Sequence, residues 1–252
     1  MSYLQQANLN QKLFLWCIST MKEFSVFALF SCILISACQA GGIQPLKWFN
    51  DGRIQNAQGS EIQLNIQNAY DGLDYNKNTY IAGFKIDKDG INTPTITKVA
   101  SDLKNIQYWS FENIINDIFI YQNKLHIVDT YGVVTALVNN TWQKSSLNFP
   151  ERSEVVYSNK KDHLIICHAA SRQKVGSHSG SGCYAISPTP KQNWKMNFTW
   201  FDQTPKICNG TLHTFEEMRK GGIFRKADLN TGKVDIEQQL SEPPQDLCNI
   251  TN

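Results

Sequence analysis

The chain has 252 residues, of which 41% are hydrophobic and 18% are charged, and its formal net charge is +2. This length suits one domain, or one closed β architecture, with enough chain to bury a core. The small net charge provides no long-range positive field, so we expect no nucleic-acid partner.

The first 37 residues are predicted to be a signal peptide. Residues 24–35 form an uncharged, mostly apolar run that ends in Ser36 and Ala37. An apolar run followed by small residues is typical of secretory signals, and this one is too short to cross a bilayer comfortably. Met21 is favoured over Met1 as the working start, because it gives the charged and apolar regions their ordinary lengths.

The four residues Ile35-Ser36-Ala37-Cys38 resemble the lipobox of bacterial lipoproteins. The resemblance implies cleavage before Cys38, diacylation of its thiol and acylation of the new amine. The residue after Cys38 is Gln39 rather than Asp, which by the same resemblance implies the outer membrane. We therefore expect a periplasm-facing protein that contacts the membrane only through this lipid. The alternatives are a plain secretory signal with Cys38 incidental, or an uncleaved anchor.

The expected organisation is a signal peptide over 1–37, a lipidated tether over 38–43 and one β domain over 44–252. Four cysteines lie in that domain: Cys167, Cys183, Cys208 and Cys248. An even number in an oxidising compartment predicts two disulfides. The β-like runs around Cys167 and Cys183 favour a bond across a hairpin, which leaves Cys208 to pair with Cys248. Free thiols, or zinc with His163 or His168, are the alternatives, but Cys-x-x-Cys spacing is absent.

Short β-like runs separated by polar turns fill the domain. Pieces around 79–99, 115–145, 160–197 and 210–240 can be superimposed at a spacing of about 40 residues, the size of a propeller blade. The pattern is similar to β-propellers of the kelch and quinoprotein-like type. This implies an all-β fold of about four to five small blades, with further strands from 44–66 and the C-terminal tail. A β-sandwich is the alternative, because it has turns at similar intervals.

Motifs for catalysis or metal binding are not found. The segment 176–180 reads Gly-Ser-His-Ser-Gly, but a nucleophile elbow requires serine at its centre. The histidines lack His-Glu-x-x-His spacing, and residues 87–90 lack the remaining ligands of a calcium loop. We therefore expect no catalytic residue, no metal and no cofactor, and the chain is predicted not to be an enzyme.

Two aromatic clusters are the candidates for binding a partner protein, because tryptophan and tyrosine are enriched at binding hot spots. Their candidate contact residues are Tyr108, Trp109, Trp194, Phe198, Trp200 and Phe201. The alternative is that these side chains pack in the core between blades.

The leading functional hypothesis is a membrane-tethered protein that binds another protein. In location and type it resembles the immunity proteins that neutralise effectors delivered into the periplasm, such as type VI phospholipases. An accessory subunit of an envelope assembly complex is one alternative. Another is a propeller that binds or hydrolyses a sugar or lipid, which convergent acidic residues at corresponding blade positions would support. No such residues are evident in the sequence.

Overall fold

The computed structural model describes residues 45–86, 88–168, 181–187, 193–198, 204–218 and 220–250. These residues form nineteen β-strands and one short 3-10 helix. The prediction of an all-β, propeller-like chain is confirmed. The predicted signal peptide, tether and Cys38 lie outside the described residues. Within those residues, no helix is long and apolar enough to cross a membrane.

The strands form five antiparallel sheets in chain order, each a meander in which consecutive strands pair. Sheet 1 contains β1 (Lys47–Trp48), β2 (Arg53–Gln55) and β3 (Glu61–Gln63). Sheet 2 contains β4 (Gln67–Tyr75), β5 (Asn78–Ile86), β6 (Asn92–Ala100) and β7 (Ile106–Ser110). Sheet 3 contains β8 (Ile115–Tyr121), β9 (Lys124–Asp129), β10 (Val133–Val138) and β11 (Thr141–Asn148). Sheet 4 contains β12 (Ser153–Ser158), β13 (Leu164–His168), β14 (Ser181–Ile186) and β15 (Lys195–Phe198). Sheet 5 contains β16 (Lys206–Cys208), β17 (Thr211–Glu217), β18 (Gly222–Asp228) and β19 (Val234–Leu240).

Tight two-residue turns close several hairpins. Both central residues have positive φ at 76–77, 122–123, 139–140 and 209–210. This is the type I′ geometry, whose twist matches that of paired strands and which favours asparagine and glycine. The turns at 76–77 and 122–123 join the first two strands of sheets 2 and 3. Residues of these two sheets can therefore be matched by their distance in sequence from the turn.

The core consists of hydrophobic clusters between successive sheets. For example, Ile54 of sheet 1 packs with Ile81 of sheet 2, and Ile96 of sheet 2 packs with Ile127 of sheet 3. Two further clusters join sheet 3 to sheet 4 and sheet 4 to sheet 5. Face-to-face packing of four-stranded sheets in chain order is propeller-like and differs from the two layers of a β-sandwich.

The first strands of sheets 2 to 5, which are β4, β8, β12 and β16, lie next to one another in that order. We call them the inner strands. In the first three of them the pairing with the second strand is interrupted by a register shift. Such bulges re-aim side chains, and the side chains of Asp71 and Asp117 on these strands reach backbone groups of the neighbouring sheet.

Two disulfides join Cys167 to Cys183 and Cys208 to Cys248. The first links directly paired residues of β13 and β14, as the hairpin interpretation expected. The second holds the 3-10 helix Leu247–Asn249 against sheet 5, where Leu247 packs on Phe215 and Phe224. The C-terminal segment therefore covers part of that sheet.

Candidate active site

Two aspartates occupy corresponding positions on adjacent inner strands. Asp71 on β4 and Asp117 on β8 each lie five residues before the first residue of a type I′ turn, at Asn76 and Gln122. Both side chains are half-buried. Acidic residues that converge at corresponding blade positions are the feature that would support an enzyme or ligand binder.

Asp71 is held by backbone N–H groups from two sheets. Its Oδ1 atom accepts a hydrogen bond from the N–H of Gly72 at 2.7 Å, and its Oδ2 atom accepts one from Ile118 at 2.8 Å. Hydrogen bonds from neutral donors stabilise the charged form of a carboxyl group. Asp71 is therefore fixed in orientation and suited to be the ionised member of a pair.

Asp117 lies between Asp71 and the next inner strand. Its Oδ2 atom accepts a hydrogen bond from the N–H of Val155 on β12 at 2.6 Å. Its side chain also shares a hydrogen bond with that of Asp71. Two carboxyl groups can share such a bond only if one of them is protonated.

The electrostatics assign the shared proton to Asp117. Burial, followed by the charge of Asp71, holds the pKa of Asp117 well above its ordinary value of 3.8. Burial also raises the pKa of Asp71, while hydrogen bonds from Ile118, Gly72 and Asp117 act in the opposite direction. The pair therefore consists of a carboxylic acid at Asp117 next to a carboxylate at Asp71, which is the arrangement of an acid–base pair.

A sequence signal for this site exists. Aligned on their turns, 71–77 reads Asp-Gly-Leu-Asp-Tyr-Asn-Lys and 117–123 reads Asp-Ile-Phe-Ile-Tyr-Gln-Asn. The segment 154–160 begins with Glu154 and reads Glu-Val-Val-Tyr-Ser-Asn-Lys, so a third acidic residue precedes a turn by the same number of residues. Glu154 is exposed.

The structure places Tyr108 and Trp109 at sheet interfaces. Tyr108 packs against the cluster between sheets 1 and 2, and its hydroxyl bonds to the backbone of Asn65. Trp109 lies between Tyr80 and Trp142, with ring centroids at 6.4 Å and 5.9 Å. These contacts support the core-packing alternative for the first cluster.

The second predicted cluster is described only in part. The Trp194 indole donates to the carbonyl of Leu229 at 2.9 Å and packs beside sheet 5. Phe198 ends β15, and Trp200 and Phe201 lie outside the described residues. The role of this cluster in partner binding stays a prediction. Across the described ranges, no group of three or more His, Cys, Asp and Glu side chains could hold a metal ion.

No family model and no curated protein matches the sequence. Solved structures do resemble it in fold. The CNH domain of AfRom2 is 9% identical with a TM-score of 0.49, over 79% of this chain and 71% of that one. The periplasmic gluconolactonase PpgL of Pseudomonas aeruginosa is 10% identical with a TM-score of 0.40, over 78% and 76%. A thermostable family-43 glycoside hydrolase is 9% identical with a TM-score of 0.36, over 69% and 71%.

The prediction that the chain is not an enzyme is corrected here. Two of these similar structures are enzymes by their descriptions. The prediction was based on the absence of a contiguous motif, whereas the acid pair is assembled from two strands 46 positions apart in the sequence. A local motif search cannot detect a pair of that kind.

Proposed function

We propose that this protein is a hydrolase that uses Asp117 as general acid and Asp71 as general base. The observation that carries the proposal is the hydrogen bond between these two half-buried carboxyl groups at corresponding positions of adjacent inner strands. A pair in which burial raises the pKa of one carboxyl group, and so favours its protonated form, provides an acid next to a base.

The reaction class is the addition of water to a carbonyl group, as in an ester or lactone. The Asp71 carboxylate removes a proton from water as its oxygen attacks the carbonyl carbon. Asp117 donates its proton to the departing oxygen when the acyl–oxygen bond breaks. The proton gained by Asp71 then passes to Asp117 along their hydrogen bond, which restores the pair and leaves a carboxylic acid and an alcohol as products.

The closeness of the two carboxyl groups favours this class over glycoside cleavage. Glycosidases place their two carboxyl groups about 5 to 9.5 Å apart, on opposite sides of the scissile bond. Asp71 and Asp117 are in direct hydrogen-bond contact, so no sugar ring fits between them. A carbonyl group approached from one side by both carboxyls fits this geometry.

The proposal is tested by hydrolysis of short esters and sugar lactones by the purified protein. Asp71→Asn and Asp117→Asn should each lower kcat/KM by about 100-fold or more, since each removes one partner in proton transfer. Asp74→Asn is the matched control, because Asp74 is an exposed carboxylate on the same strand. Turnover that is equally fast in all four proteins, or absent from the wild type across the panel, would overturn the proposal.

We also propose that the protein acts in the cell envelope, tethered through a lipid on Cys38. The two disulfides support an oxidising compartment. Cys38→Ala should leave the membrane fraction, or accumulate unprocessed, when cells are fractionated. Normal processing together with unchanged membrane association would contradict the lipid anchor.

Neutralisation of a secreted effector and service as an accessory subunit of an envelope complex stay sequence-based proposals. Genomic neighbourhood separates them: an adjacent toxin or lipase gene favours the first, and an envelope-assembly operon favours the second.

A further inference from the structure

A second feature of the molecule is a cavity of about 660 Å³ between sheet 1 and the start of β4. Its wall carries five carboxamide side chains and one carboxylate: Asn50, Gln63, Asn65, Gln67, Asn68 and Asp51. Leu64 and Ile66 also line it, but these residues are only 3% and 2% exposed and belong to the core cluster of sheets 1 and 2.

The backbone builds this cavity in advance of any ligand. The N–H of Leu64 donates to the carbonyl of Gly52 at 3.0 Å, and the N–H of Ala69 donates to the carbonyl of Asn50 at 2.9 Å. These bonds tie the β1–β2 turn to both ends of the segment that connects sheet 1 with β4. A preformed cavity lowers the entropy cost of binding.

One carboxamide is oriented by the protein itself. The Nε2 atom of Gln63 donates to the carbonyl of Asp51 at 2.8 Å and to that of Leu64 at 3.2 Å. Both of its N–H bonds are thereby used, so the Oε1 atom is the acceptor that remains for a ligand.

The charge in the cavity is balanced. Asp51 lies 2.7 Å from the guanidinium of Arg53, whose hydrogen bond lowers the pKa of that carboxyl. The other side chains named above carry no formal charge. The wall therefore offers adjacent donors and acceptors with no excess of either sign, which matches paired hydroxyl groups better than a phosphate or a cation.

We infer that this cavity binds a neutral oligosaccharide, with the carboxamides on its hydroxyl groups. The link between this cavity and catalysis rests on the proposed function. With that link, the substrate class is acylated or lactonised sugars. Gln67 and Asn68 begin the strand that carries Asp71. Asp71 follows Asn68 by three positions, at most about 10 Å along the strand, so one elongated ligand is able to contact both residues.

The test is isothermal titration of the purified full chain with chitotriose and with maltotriose, neither of which contains an ester bond. Glucose 6-phosphate is the anionic comparison. At least one neutral trisaccharide should bind more tightly than the sugar phosphate. Asn65→Ala and Gln67→Ala should each weaken that binding about fivefold, the loss of one hydrogen bond. Gln58→Ala, an exposed glutamine in the β2–β3 turn, is the matched control and should bind as wild type does.

Absence of binding to both trisaccharides, stronger binding of the sugar phosphate, or equal weakening by Gln58→Ala would overturn the inference. The two assays separate this outcome from the proposed function, because neither trisaccharide contains an ester bond and its binding needs no turnover. If neither esters nor lactones are hydrolysed but Asn65→Ala still weakens trisaccharide binding, the hydrolytic proposal fails and the cavity inference stands.

Discussion

The Oδ2 atom of Asp117 accepts a hydrogen bond from the backbone N–H of Val155 at 2.6 Å, across the boundary between sheets 3 and 4. Asp71 does the same for Ile118 across the preceding boundary. Each aspartate therefore joins its inner strand to the next one, and the side chains proposed for catalysis also position neighbouring sheets. A substitution at either aspartate can therefore change both the stability of the fold and the proposed activity, and the replacement residue has to be chosen so that the two effects can be distinguished.

Replacing Asp71 by alanine should destabilise the fold more than replacing it by asparagine. Alanine leaves the N–H groups of Gly72 and Ile118 without their acceptor, at a cost on the order of 2 kcal/mol. The asparagine oxygen can still accept one of them. Urea denaturation of the two variants measures the difference. Equal midpoints for Asp71→Ala and Asp71→Asn would contradict a structural role for these bonds.

The stability of the wild type should fall as pH rises above about 4. The pKa of Asp117 is raised in the folded state, so this state binds the proton more tightly than the unfolded chain, and the stabilisation is complete below the ordinary value of 3.8. It is lost as pH rises through the folded value. Asp117→Asn cannot titrate and should show a flatter profile in thermal denaturation across that window. Parallel profiles for the two proteins would show that the pKa of Asp117 is not raised.

Gly132→Ala should be strongly destabilising. Gly132 has φ of 80°, and a Cβ atom there would lie 2.1 Å from the carbonyl oxygen of Phe149. Both the strained backbone and the clash contribute, so we expect a loss of about 3 kcal/mol or more. Gly90 is the matched control, since its φ is 77° but no atom lies within 4 Å of the added Cβ. If Gly90→Ala costs as much in chemical denaturation, the clash with Phe149 is not the cause.

Loss of the Cys208–Cys248 bond should destabilise the protein by about 4 kcal/mol on the chain-entropy estimate, since it closes a loop of 40 residues. The change should also loosen the 3-10 helix over Phe215 and Phe224. The double substitution Cys208→Ala/Cys248→Ala, with hydrogen exchange of β17 and β18, measures both effects. Unchanged exchange in these strands would show that the C-terminal segment does not protect sheet 5.

Much of the fold is visible in the sequence because its hairpins have strong turn signals. The repeat around 79–99 corresponds to β5 and β6, where alternating β-branched residues flank a polar turn. The inner strand β4 is missing from that repeat. It contains Gly72, is bulged, and buries little besides Ala69, so neither propensity nor period-2 alternation identifies it.

The site was missed for a related reason. A pair such as Asp71 and Asp117 is defined by the contact between two sheets, and each member alone resembles a turn-flanking polar residue. The aromatic residues show the opposite limit. In the sequence alone, a buried tryptophan such as Trp109 cannot be distinguished from an exposed residue that binds a partner. Its packing between Tyr80 and Trp142 assigns it to the core.

The most direct test of the acid–base pair is the pH dependence of kcat/KM for the best ester or lactone substrate, compared between the wild type and Asp117→Asn. The wild type should give a bell-shaped profile, with an acid limb from ionisation of Asp71 and an alkaline limb from loss of the Asp117 proton. The variant should lose the alkaline limb along with most of its activity. A wild-type profile without an alkaline limb, or a variant that retains both the limb and the rate, would contradict the assignment of Asp117 as the acid.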